Sequence, residues 1–207
     1  MMRPTLRRMF ASLLAVAVAA PAGLAQGPNP LAQLDSATRR VVQSLVDSAQ
    51  NEGLPTQPIV SKAQEGISKR ATGPIIAQVV RKVFLSLREA RMSLGPKADR
   101  DEMTAGAAAL QAGIPATALI DLHQAGHGKP VTVPLVVLAD LVTRGVPRDT
   151  ASREILKLWL NGVGDADLLG LPRAVGQDIV SGAAPGDALL NRVRTIPLRP
   201  PPAKVPE

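Results

Sequence analysis

AQNEGLPTQPIVSKAQEGISKRATGP, residues 49–74, and ALQAGIPATALIDLHQAGHGKPVTVP, residues 109–134, carry the same punctuation sixty positions apart. Ala49, Gly53, Pro55, Gln64, Gly66, Lys69, Thr72 and Pro74 recur as Ala109, Gly113, Pro115, Gln124, Gly126, Lys129, Thr132 and Pro134. Apolar positions track with them: Leu54 with Ile114, Ile59 with Leu119, Val60 with Ile120, Ile75 with Leu135, Ile76 with Val136. Glycine takes the left-handed turn that ends a helix, the next apolar residue packs back, and proline blocks continuation. Read this way, each stretch is the middle of a three-helix unit, and the pair suggests an internal duplication at an offset of 60 residues, about 34–94 and 97–146.

Working outward, Leu34, Val41, Leu45 and Ala49 fall on one helical stripe that Gly53 ends. Helices are expected over 57–67 and 74–91, the latter burying Ile76, Val80, Val83 and Leu87 and exposing Gln78, Arg81, Lys82, Arg88 and Glu89 as a solvated face. The second unit predicts helices over 98–112, 117–125 and 133–144. Gly145-Val146-Pro147 repeats the punctuation, and a further helix carries Ala151, Ile155, Leu158 and Trp159 to Gly162-Val163-Gly164. Asp165 is a suitable N-cap for the next segment, which Gly170 and Pro172 are expected to kink or split. A short helix over 186–193 follows. No alternating run resembles a strand. The fold class is therefore all-α, a repeat or bundle of about eight short antiparallel helices in a single domain over 34–194.

The two ends read differently. Arg3, Arg7 and Arg8 precede an apolar run from Met9 to Ala20, and small residues Gly23 and Ala25 stand where signal peptidase needs them. The run falls short of the roughly 20 residues that span a bilayer. Residues 1–25 are thus expected to be a cleavable signal peptide and 26–33 a linker. Arg7-Arg8-Met9-Phe10 also fits the twin-arginine pattern, so Sec and twin-arginine export both stand. The chain has no cysteine, hence no lipid-bearing one at the cleavage site and no disulfide framework. The expected location is the periplasm or the exterior, with no membrane anchor after cleavage. Residues 195–207, with five prolines from Pro197 to Pro206, form a Pro-rich tail expected to be disordered.

Charge and aromatic content exclude some partners. The chain has 24 basic and 17 acidic side chains, a net of +7. Residues 1–25 hold three arginines and no acid, so their removal leaves 21 against 17. Arg192, Arg194, Arg199 and Lys204 stand in the tail against Glu207, which brings residues 26–191 to a net of +1. A near-neutral body lacks the basic footprint of a nucleic-acid binder. Outside the signal the only aromatic residues are Phe84 and Trp159, too few to stack a single strand. No nucleic-acid partner is expected.

Few residues suggest chemistry. His123 and His127, the only histidines, are four apart, a spacing that could share a metal on one helix face. Their counterparts are Ala63 and Ile67, and Gly126 and Gly128 are expected to end the helix between them, so exposed loop histidines are the plainer reading. Asp140 interrupts the apolar run from Val133 to Val142 where the first unit has Val80. It would be either a desolvated carboxylate with a raised pKa or the exposed edge of a buried helix; unpartnered carboxylates are rarely buried, which favours the edge. Asp99, Asp101 and Glu102 fit the positive end of a helix dipole. No nucleophile, Walker or dinucleotide motif is present, so no catalytic residue, metal or cofactor is assigned. The expected function is a protein- or peptide-interaction module of the cell envelope. One alternative is a small-ligand or metal-binding protein using the loop from His123 to Val133. The other is an enzyme with a site around Asp121, His123 and Asp140.

The export reading has a direct check. Intact-mass measurement of protein recovered outside the cytoplasm is expected to give a chain beginning at Gln26, and uncleaved protein would refute it. Changing Arg7 and Arg8 together to lysine should stop export if the twin-arginine route is used and leave it intact on the Sec route.

Overall fold

In the computed structural model, which describes residues 31–197, a shared way of stopping gives the helices their lengths. The Leu54 amide donates to the Ala49 carbonyl at 2.8 Å while the Gly53 amide donates to Gln50 at 3.0 Å. This paired closure satisfies carbonyls that a helix end otherwise leaves open. The same two bonds recur around Gly113, Gly145, Gly162 and Gly182, and around Arg70. Gly113 shows why glycine is used: its φ of +90° is one that side chains with a Cβ rarely adopt. The residue after each turn packs inward, and Leu54, Ile114, Val146 and Val163 are all buried.

Nine helices result among the described residues: α1 Ser36–Asn51, α2 Gln57–Ser68, α3 Gly73–Leu94, α4 Arg100–Gln111, α5 Ala116–Gly126, α6 Thr132–Thr143, α7 Arg148–Leu160, α8 Asp165–Val180 and α9 Pro185–Thr195. No strand occurs among these residues. The protein is all-α. Starts are specified as locally as ends. The Asp35 carboxylate accepts the Ala37 and Thr38 amides at 3.0 and 2.9 Å. Asp99 and Glu102 form a reciprocal capping box, and proline enters the first turn of α2, α3 and α9.

The helices pack as a ladder. α1, α3, α4, α6 and α8 each lie on the next, a second row runs from α3 through α5 and α7 to α9, and α2 packs on α1 and α3. The 22-residue α3 belongs to both rows, touching α1, α2, α4 and α5. Gly106 of α4 sits where three helices meet closely, and a Cβ there would come within 3.1 Å of both Ala90 and Leu94 of α3 and 3.2 Å of Leu119 of α5. One continuous apolar core runs from Leu31 to Val193.

Several details differ from the sequence reading. The buried stripe of α1 is Thr38, Val42, Val46 and Ala49, one position off Val41 and Leu45. Leu34 lies before the Asp35 cap, so it could not set the helix phase. Leu31, inside the expected linker, is buried, and Arg39 holds its turn by donating to the carbonyls of Leu31, Ala32 and Leu34. Asp165 is the first residue of α8, not its cap; Gly164 takes that place and the side chain makes no capping bond. Pro172 neither splits nor ends α8, because it lies on the helix's buried face with Leu168, Leu171 and Val175, where packing holds the turns either side. α3 runs on to Leu94 before Gly95 stops it. The shared punctuation fixes helix ends more than whole helices: α6 has 12 residues where α3 has 22, and α5 ends at His127 where α2 runs on to Ser68. The expected signal peptide over 1–25, residues 26–30 and residues 198–207 of the expected tail lie outside the described residues.

One ion pair closes the far end of the ladder. Arg192 of α9 grips Asp178 of α8 with two bonds of 2.7 and 2.6 Å. Those bonds hold the Asp178 carboxyl below its ordinary value of 3.8. A carboxyl depressed in the folded state stabilises the fold above that ordinary value and ceases to do so as pH falls through the depressed one. Asp178→Asn is therefore expected to lower the melting temperature by a few degrees at pH 7. The gap from wild type should close as the pH is taken well below 3.8; thermal melts across pH check this.

Candidate functional site

The turn from α5 to α6 leaves the helix in an unusual way. His127 has a left-handed backbone (φ 49°, ψ 43°) and Gly128 follows at φ +85°. The chain is then recaptured by Glu102 of α4, a buried carboxylate. One of its oxygens accepts the Val131 amide at 2.9 Å, the other the Asp99 amide at 3.1 Å. Val131 is fully buried beneath the turn. Glu102 thus does more than favour a helix dipole. It ties the start of α4 to the start of α6 and fixes residues 127–130 as a wall.

The opposite wall is the end of α7 and the turn into α8. α5 packs on α7, and this brings Trp159 against Gly126. A Cβ at Gly126 would lie 3.4 Å from the indole nitrogen and 3.3 Å from a methyl of Val131. The indole and the Val131 methyl thus close directly over the glycine. Between the walls lies a half-open cavity of about 460 Å³, lined chiefly by Gly126, His127, Lys129, Trp159, Leu160 and Asp165. That volume falls within the roughly 300–1,000 Å³ usual for small-ligand sites. The indole nitrogen is out of solvent and has no hydrogen-bond partner, an expensive condition for a donor. Leu160 stands 61 % exposed at the lip.

His127 is exposed, and its Nδ1 lies 2.8 Å from the Ala125 carbonyl. A carbonyl only accepts, so this nitrogen carries the proton and Nε2 is left as the acceptor in the neutral ring. His123 corrects the expectation of loop histidines. It lies within α5, half-buried, with its Nδ1 enclosed and without a hydrogen-bond partner. The left-handed step at His127 takes that residue out of helical register, which breaks the shared face the spacing implied. Among the described residues no three His, Asp or Glu side chains come together as a group that could hold a metal ion.

The remaining candidates do not converge. Asp140 of α6 is half-buried and spends both carboxylate oxygens on Arg144, at 2.9 and 3.2 Å. It is the edge of a mostly buried helix. Asp121 is exposed on α5, a helix whose main packing is with α3 and α7. The solvated face of α3 is as expected, with Arg88 paired to Glu52 at 2.9 Å and lying over the Phe84 ring. What sequence reading missed is the role of Trp159. The sequence groups it with Ala151, Ile155 and Leu158 on one helix, but those three are buried while Trp159 is half-buried and lines the cavity. The signal is the lone tryptophan, three residues before Gly162-Val163-Gly164. Compared with family models, curated proteins and solved structures, the chain matches none.

The Gly126 contact can be tested against a neutral control. Gly170 of α8 is exposed with open space around it, so Gly170→Ala should add about 0.5–1 kcal/mol of stability and leave Trp emission unchanged. Gly126→Ala should yield less of that gain, because the added methyl presses on the Val131 methyl, and should shift the emission, because it also comes into contact with the indole. The chain has one tryptophan and no tyrosine, so fluorescence reads this place alone.

Proposed function

We propose that the protein is a peptide-binding module of the cell envelope, a helical ladder that engages its partner at the Trp159 cleft. The observation that carries this reading is the half-buried Trp159 with an unpartnered indole N–H, set in a preformed cavity beside an exposed leucine. Tryptophan combines a large apolar face with a single donor, and such anchors dominate peptide and protein recognition. Ladders of helix pairs commonly bind through the surface their turns create. The N-terminal 25 residues, read as a signal peptide, supply the envelope location. The enzyme alternative has less behind it, since Asp140 is committed to Arg144 and Asp121 points to no cavity described above.

A peptide library displayed on phage, panned against the full mature chain, is expected to enrich binders. Trp159→Ala should weaken the selected peptides by about thirtyfold or more, the 2 kcal/mol expected of a buried anchor. Because the indole packs on Gly126, Leu160→Asp provides a second variant at an exposed position, expected to weaken binding while helical circular dichroism is retained. Selected peptides that bind both variants as tightly as wild type would move the site elsewhere, and failure to enrich any peptide would refute the reading.

A further inference from the structure

We infer that the Trp159 cleft takes a short peptide with both of its ends free, its carboxylate toward Lys129 and its ammonium toward Asp165. This rests on the peptide-binding reading and names the ligand. The argument begins with charge. Lys129 and Asp165 line the same cavity from its two walls, the first on the α5–α6 turn and the second at the start of α8. Both are exposed, and neither takes part in any ion pair among the described residues. They border one space without neutralising each other.

A ligand of one sign gains at one wall and is repelled at the other. A ligand carrying both signs, aligned across the cleft, gains at both. The same cavity is also lined by Trp159, Leu160 and Pro130, so the body joining the charged ends should be apolar. The exposed His127 stands on the same wall as Lys129, and in the neutral ring its Nε2 is an acceptor for an N–H of the ligand. The backbone that carries Lys129 is held two residues on, where Glu102 accepts the Val131 amide.

The test uses leucyl-leucine and its end-blocked forms on the mature chain, read by Trp159 emission and confirmed by calorimetry. Free leucyl-leucine is expected to bind. N-acetylation and C-amidation should each weaken it by roughly three- to tenfold, since the charged rim is solvent-screened. The variants then separate the two ends. Asp165→Asn should abolish the penalty for acetylation and keep the penalty for amidation, and Lys129→Met should do the reverse. A purely structural role for either residue would not produce that crossed pattern. Doubly blocked leucyl-leucine binding as tightly as the free form would overturn the inference. So would dipeptides failing to bind while Trp159-dependent library peptides do; in both cases the peptide-binding reading itself survives. Only the absence of any Trp159-dependent peptide would remove both.

Discussion

A helix can turn back on itself within two residues only if its last carbonyls find donors, and in this protein the donor is repeatedly the amide of the next apolar residue. Leu54, Ile114, Val146 and Val163 each close the preceding helix through the backbone and enter the core through the side chain. One residue therefore fixes where a helix stops and on which side the chain resumes. Without that coupling the short helices would have no stable lengths, since segments of about a dozen residues are marginal alone in water. The ladder of α1 to α9 follows from it, and so does the placement of the Trp159 turn, which is one of these closures.

This constraint also decides what the sequence could reveal. A glycine, an apolar residue and a proline are legible because each has a local steric reason, so the ends of α1, α4 and α6 fall close to their expected positions. The phase of α1 was not legible. Leu34 belongs to a capped turn, and the two adjacent apolar pairs Val41-Val42 and Leu45-Val46 offered no basis for choosing between stripes; burial of Thr38 made the choice. The continuity of α8 through Pro172 was hidden for a related reason, because tertiary packing overrode a local preference.

The cleft was legible only in part. Its first wall lies within the loop from His123 to Val133 that the sequence marks out, but its second wall lies some thirty residues on and arrives by the packing of α5 on α7. Nothing local announces that Gly126 and Trp159 meet, or that Glu102 reaches across to Val131. The candidates chosen for their chemistry fared differently. His127 lines the cavity, His123 is half-buried on α5 with its Nδ1 enclosed, and Asp140 is occupied by Arg144 on the same helix.

The ladder has a kinetic side as well. Each rung is held chiefly by the rungs next to it, so opening one end need not loosen the other, and cohesion is closer to a sum of neighbouring interfaces than to a single all-or-none core. The seam where α3 meets four other helices should keep its amide protons longest. The α8–α9 end, held to the rest through α6 and α7, should exchange them first. The Trp159 cleft stands between those extremes, at the border of a slow region and a quick one, where an occupant that bridges both walls would act as a stitch and quiet the faster end.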